Sequence, residues 1–186
     1  LDDLLQQNST LSTVTTLEII TALADAIDFL HEQGFTHGDI KPGNILLNQQ
    51  LQPLLADTGL HQILQETAKL LQRDEIVGTP VYLSPEQQRT GNGSAAGDLY
   101  ALAAVAYHCL TGQAPAGPAA PPSSLNNQLP EAVDAVFGKA LHKHASQRYR
   151  TAQQFIDTLA AALPGSRTVD SRAPTNETDV TRQTSQ

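Results

Sequence analysis

The chain has 186 residues, with 11 Lys and Arg against 19 Asp and Glu, a formal net charge of -8 and a pI near 5.0. This length allows one sizeable core and suits a single domain with a tail, and the acidic balance offers no net electrostatic footprint for nucleic acid or anionic lipid. The lone cysteine, Cys109, excludes an internal disulfide and reads as a small buried apolar side chain in a reducing compartment.

The longest apolar stretch, Leu99 to Leu110, falls far short of the roughly 20 residues of a membrane span. The first residues show no signal-peptide pattern either, so a cytoplasmic setting is expected. There is no methionine and the sequence starts at Leu1, as expected of a piece of a longer or processed chain.

In chain order, Thr15 to Glu18 form a T-x-x-E capping box. Leu17, Ile20, Leu23, Ile27 and Leu30 then recur at helical spacing up to Gly34, which predicts an amphipathic helix. Two short apolar runs, Ile45 to Leu47 and Leu51 to Ala56, flank Asn48, Gln49 and Gln50 and read as a small hairpin. Pro53 places the second run at an edge or bulge. Residues 58 to 83 have mixed polarity and include Gly78 and Pro80, the pattern of a long irregular loop of functional type.

A helix starting at Asp98 is apolar on every side through Leu99, Leu102, Val105, Tyr107 and Leu110 and stops at Gly112, so it belongs at the centre of a domain. Gln113 to Pro122 is Pro- and Ala-rich and reads as a loop. Pro130 opens a further helix at its favoured first turn, and Thr151 with Gln154 forms a second capping box ahead of Phe155, Ile156, Leu159 and Leu163. Beyond Pro164 the apolar pattern stops, so the expected division is a domain over 1–163 and a disordered Ser/Thr-rich tail or linker over 164–186. The fold class is mainly α with a small β-hairpin.

The chemistry concentrates in His37-Gly38-Asp39-Ile40-Lys41-Pro42-Gly43-Asn44, an H-x-D-x-K-x-x-N string on a loop between a helix end and a hairpin. Taken singly, Asp39, Asn44 and Asp57 would be turn and cap residues. Together they resemble the catalytic loop of the protein kinases, H-R-D-L-x-x-x-N, followed by a hairpin and a metal-binding D-F-G written here as Asp57-Thr58-Gly59. Gly78-Thr79-Pro80-Val81-Tyr82-Leu83-Ser84-Pro85-Glu86 continues the likeness, against the family's G-T-x-x-Y-x-A-P-E, and Lys41 with Thr79 points to the serine/threonine branch of bacterial type.

The resemblance implies a kinase C-terminal lobe that transfers the ATP γ-phosphoryl group to a Ser or Thr hydroxyl of a protein. Phosphoryl transfer asks mainly for positioning and charge neutralisation. By resemblance, Asp39 orients the acceptor hydroxyl and takes its proton, and Lys41 brings positive charge to the moving group. Asn44 and Asp57 hold Mg2+ and through it the ATP phosphates, which suits their hard oxygen donors, and Thr79 helps to seat the acceptor. His37, Glu86, Asp98 and Arg148 are structural, Glu86 and Arg148 as an ion pair. His31, His61, His108, His142 and His144 read as surface or packing histidines, since a metal site needs three or four ligands.

Four departures stand out. Gly38 replaces the Arg that pairs with a phosphorylated loop in many relatives, Thr58 replaces an aromatic plug, Ser84 replaces Ala, and the Pro-rich stretch leaves little room for a helix that often docks partners. The N-terminal lobe that would cover ATP has no counterpart here, so it counts as a missing partner of the same chain. Two other readings stand beside the enzyme. One is a kinase-like scaffold without transfer activity. The other is a small-molecule kinase of the aminoglycoside or choline type, against which Gly78 to Glu86 argues, since that segment suits an extended peptide.

Overall fold

The structure, a computed structural model, describes residues 1–58 and 80–163. The expected tail, Thr79 and His61 lie outside these residues. Helices α1 (Asp2–Gln7) and α2 (Thr13–Glu32) lead through a 3-10 turn at Pro42–Asn44 into strands β1 (Ile45–Leu47) and β2 (Pro53–Leu55). Then follow α3 (Pro85–Thr90), α4 (Ala95–Thr111), α5 (Pro122–Leu125), α6 (Ala132–Ala140) and α7 (Ala152–Ala162).

Helix α4 is the axis of the core. Every residue from Gly97 to Tyr107 is buried, as its all-round apolar sequence requires. The alanines at 101, 103, 104 and 106 keep the helix thin, so α2 and α6 both pack closely on it. Tyr107, Phe137 and Phe155 join α4, α6 and α7 by edge-to-face contacts at 5.7 and 5.8 Å, a favourable arrangement of ring quadrupoles. Cys109 is fully buried, and desolvation pushes its thiol up to about 12, which keeps it an inert apolar group.

Helix starts differ from the sequence expectations in instructive ways. Helix α2 is capped by Ser12, whose oxygen accepts from the Thr15 amide, so the T-x-x-E match lies inside the helix; Ser, too, is a strong cap. Helix α4 begins at Ala95 behind a Ser94 cap, one turn before Asp98. Thr151 does cap α7 through the Gln154 amide, but the Gln154 side chain accepts from Arg150 N, one residue earlier than a capping box requires. The Ala152 and Gln153 amides are taken by Asp28 of α2, which fixes α7 against α2. The short helices α1, α3 and α5 have no periodic signal in the sequence.

The hairpin is antiparallel, with Ile45, Leu46 and Leu47 opposite Leu55, Leu54 and Pro53. Pro53 is tolerated because a two-stranded sheet leaves its outer edge unpaired. Asn48 closes the turn by accepting from the Gln50 and Gln52 amides, and Leu51 adopts φ +59.

Gly112 ends α4 at φ +74, and a Cβ placed there would lie 2.0 Å from the Ser9 carbonyl oxygen. Gly112→Ala combines a left-handed backbone with a backbone clash, so a thermal melt should show a loss of about 1–3 kcal/mol. An unchanged melting temperature would contradict this close approach.

Candidate active site

The loop from His37 to Asn44 is held from below by Asp98 in the first turn of α4. One carboxylate oxygen accepts from the His37 amide at 2.8 Å and from His31 Nε2 at 2.9 Å, and the other accepts from the Gly38 amide at 2.8 Å. The side chain is 2% exposed, so these donors replace the water that a buried carboxylate loses. His31, expected to be an ordinary surface or packing histidine, instead meets Asp98, and its spacing of six from His37 carries no local sign that both reach one residue in the centre of the fold.

His37 is buried and braces the loop with both ring nitrogens. Its Nδ1 accepts from the Asp39 amide at 3.2 Å, which puts the proton on Nε2, and Nε2 donates to the Ala56 carbonyl at 2.9 Å. Gly38 adopts φ +79, a conformation that glycine enters without a Cβ penalty. The Gln87 amide of α3 donates to the Gly38 carbonyl. With the Asp98 carboxylate on its N–H side and the Gln87 side-chain amide on its C=O side, Gly38 is fixed through its own backbone groups, with no side chain at 38.

This frame aims Asp39. Its Oδ2 accepts from Lys41 Nζ at 2.7 Å and from Asn44 Nδ2 at 2.9 Å, and the same Asn44 amide donates to the Asp39 carbonyl oxygen at 2.8 Å. Oδ1 has no hydrogen-bond partner among the described residues, nor has the Asn44 amide oxygen. The 3-10 turn at Pro42–Asn44 makes this possible by curling the chain so that a residue five positions on reaches back to Asp39.

The hairpin returns the chain to the same place. Ala56 N–H donates to the Asn44 carbonyl at 2.8 Å, while the Ala56 carbonyl is the acceptor of His37 Nε2. Asp57 follows directly, exposed, at φ +61, with no hydrogen bond to its carboxylate among the described residues. Such a backbone costs a non-glycine residue on the order of 1–3 kcal/mol and clusters at functional positions. Asp39, Lys41, Asn44 and Asp57 are thus brought to one side of the domain. Thr79 lies outside the described residues, and no group of three metal-ligating His, Cys, Asp or Glu side chains occurs among those described.

Glu86 and Arg148 form a two-pronged pair, Nη1 to Oε1 at 2.6 Å and Nη2 to Oε2 at 2.8 Å, with Arg148 wholly buried and its guanidinium over the Tyr100 ring. The remaining guanidinium hydrogens go to the Ala96, His142 and Lys143 carbonyls. Burial alone would raise the Glu86 carboxyl, but the Arg148 hydrogen bonds and charge, together with the helix-start amide and Ser84, hold it below the ordinary value. Towards the other end of α4, the Tyr82 hydroxyl meets His108 Nδ1 at 2.8 Å. Burial pushes the phenol up to about 12 and His108 downward, so the contact joins two uncharged groups.

Comparison with known proteins identifies the family. Residues 1–173 match the protein kinase domain model. The chain is 38% identical over 165 residues to the serine/threonine-protein kinase PknF of Mycobacterium tuberculosis, covering 80% of this chain and 35% of that protein. It is 33% identical over 180 residues to the probable serine/threonine-protein kinase PknB of Bifidobacterium longum, covering 89% and 26%. Among solved structures, the PknI kinase domain of Mycobacterium tuberculosis aligns with a TM-score of 0.65 at 29% identity, covering 82% of this chain and 57% of that one. The chain therefore spans about a third or less of these relatives and a little over half of that solved domain.

Because Glu86 is held below its ordinary value of 4.5, its contribution to stability is present above that pH and is lost as pH falls through the lower folded-state value. Glu86→Gln should therefore be clearly destabilised at pH 7, by roughly 3–5 kcal/mol for an orphaned buried guanidinium. The gap to the native chain in urea melts should narrow on acidification below about pH 4.5. A gap that stays constant with pH would show that the pair does not carry the effect.

Proposed function

Because the chain belongs to the protein kinase family, we propose that Asp39, Lys41, Asn44 and Asp57 form the acceptor-and-metal half of a phosphoryl-transfer centre that acts on protein Ser or Thr hydroxyls. The division of Asp39 carries this reading. Oδ2 is occupied by Lys41 and Asn44, while Oδ1 is left to accept a hydrogen bond from an incoming hydroxyl and to take its proton in the transition state. Lys41, tied to the same carboxylate, lies where it can neutralise charge on the group in transit.

The donor set fits a magnesium ion. The Asn44 amide spends both of its hydrogen bonds on Asp39, which leaves its oxygen as a hard ligand, and the Asp57 carboxylate is exposed and unbonded among the described residues. Magnesium is usually bound by one or two such groups plus nucleotide phosphates. When bound it would screen the charge of the ATP phosphates; Asn44 and Asp57 would supply its protein ligands, and Thr79 would help to seat the acceptor.

The hairpin suggests where the nucleotide and the remaining lobe belong. Leu46 and Leu54 face each other across the strands and are 53% and 65% exposed, an apolar surface two residues from Asn44 that a base and an N-terminal lobe of the same protein would cover. The proposed division is a C-terminal lobe over 1–163, followed by a linker over 164–186. Among the described residues no helix is long and apolar enough to cross a membrane; a cytoplasmic setting is part of the proposal. Fixation of Gly38 by Asp98 and Gln87 favours a loop set without phosphorylation, since no guanidinium stands at 38 to draw a phosphate.

The test joins this chain to an upstream nucleotide lobe and measures transfer from ATP to a generic basic protein. We expect Mg2+-dependent transfer to Ser or Thr, and Asp39→Asn should lower kcat by at least about a hundredfold, the lower end for a positioned general base. Unchanged activity in that variant would refute the assignment of Asp39, and no transfer at all by the native joined protein would favour the scaffold reading.

A further inference from the structure

The net acidity of the chain conceals a local exception. From residue 139 to 150 it carries Lys139, Lys143, Arg148 and Arg150, with His142 and His144, and not one Asp or Glu. Arg148 is bound to Glu86, and Lys139 lies 4.2 Å from the centre of the Tyr149 ring. Lys143 is exposed and forms no ion pair among the described residues.

Lys143 stands at the mouth of a cavity of about 770 Å³, within the range of ligand pockets. Phe137, Leu141 and Tyr100 form part of its wall, and the loop 115–122 forms the other side. Its prolines keep this loop from forming a helix, Gly117 turns at φ +60, and Tyr107 donates to the Ala120 carbonyl at 2.9 Å, fixing the loop as a separate wall.

Polar groups in the wall are mostly satisfied internally. Both Asp134 oxygens accept from Ser123, and the Gln88 amide donates to the Pro80 and Leu83 carbonyls. Tyr100 is different: it is 8% exposed, and its hydroxyl has no hydrogen-bond partner among the described residues. The cavity thus offers apolar walls, one hydroxyl left free to bond a ligand and the exposed cation of Lys143. Its remaining edge is Pro80 and Val81, which belong to the segment assigned above to the acceptor peptide.

We propose that this cavity docks a segment of the protein substrate in which a large apolar side chain is flanked by acidic residues. The proposal rests on the reading of the centre as a protein-directed transferase. Continuity through Pro80 and Val81 makes the substrate the occupant, and Lys143 selects acidic neighbours. The chain's own residues 164–186 are a poor match, since they hold no aromatic residue and no Leu or Ile.

Fluorescence polarisation without nucleotide tests it, using the chain and labelled peptides that hold one Phe between Glu residues. Alanine in place of the Phe should weaken binding on the order of tenfold or more, as for an anchor side chain. Lys143→Glu should weaken binding of the acidic peptide several-fold and strengthen binding of its Lys-flanked counterpart. Val81→Glu should abolish both; Val81 and Lys143 are exposed, so a melting curve should show both variants folded. Binding that ignores the Phe, or that survives Val81→Glu, overturns the proposal, as does self-association of the chain that Val81→Glu removes. Docking with these dependences but no transfer by the joined protein would uphold the cavity and sink the transferase reading. Transfer whose KM is indifferent to the apolar-acidic stretch would sink the cavity alone.

Discussion

The carboxylate of Asp98 gathers the His37 and Gly38 amides and the His31 ring onto the start of α4, and the rest of the site depends on that convergence. A buried anion is tolerable only when its oxygens are fully hydrogen-bonded, and its place in the first helical turn adds the favourable end of the helix dipole. Because α4 is buried along almost its whole length, it cannot shift without opening the core. The loop inherits that rigidity, and side chains positioned within a few tenths of an ångström are what electrostatic catalysis requires.

A second layer of contacts transmits the same order outward. His37 links the loop to the end of the hairpin through Ala56, and Ala56 returns to Asn44, so Asp39 and Asn44 belong to one hydrogen-bonded circuit that ends one residue before Asp57. Gln87 ties the circuit to α3, whose Glu86 is clamped by Arg148. The segment proposed to receive a peptide is thereby anchored at its C-terminal end, by neighbouring residues, to both the helical core and the acceptor loop. The apolar cavity behind Pro80 and Val81 extends that surface, and its existence follows from the refusal of a Pro-rich loop to become a helix.

The site was legible in the sequence to the extent that its residues are close together in the chain. His37, Asp39, Lys41 and Asn44 fall within eight positions, so one turn and one loop suffice to bring them together, and the short hairpin fixes the distance to Asp57. His31, Gln87 and the Tyr82–His108 contact were not legible. His31 and Gln87 meet the loop only because α2 and α3 pack around α4, and the signal of a His or Gln in a helix is the same whether it faces solvent or a carboxylate.

The sequence by itself determined the elements with a strong local code: the two long amphipathic helices, the wholly apolar one, the hairpin and the order of the polar loop. Periodicity and turn chemistry act over a few residues, and no packing is needed to read them. The tertiary structure alone decided which donors satisfy Asp98, which oxygen of Asp39 stays open, and where helices as short as α1, α3 and α5 form. Those outcomes depend on burial between segments up to 67 residues apart, where the cost of an unpaired buried group selects the partner and no local propensity can name it.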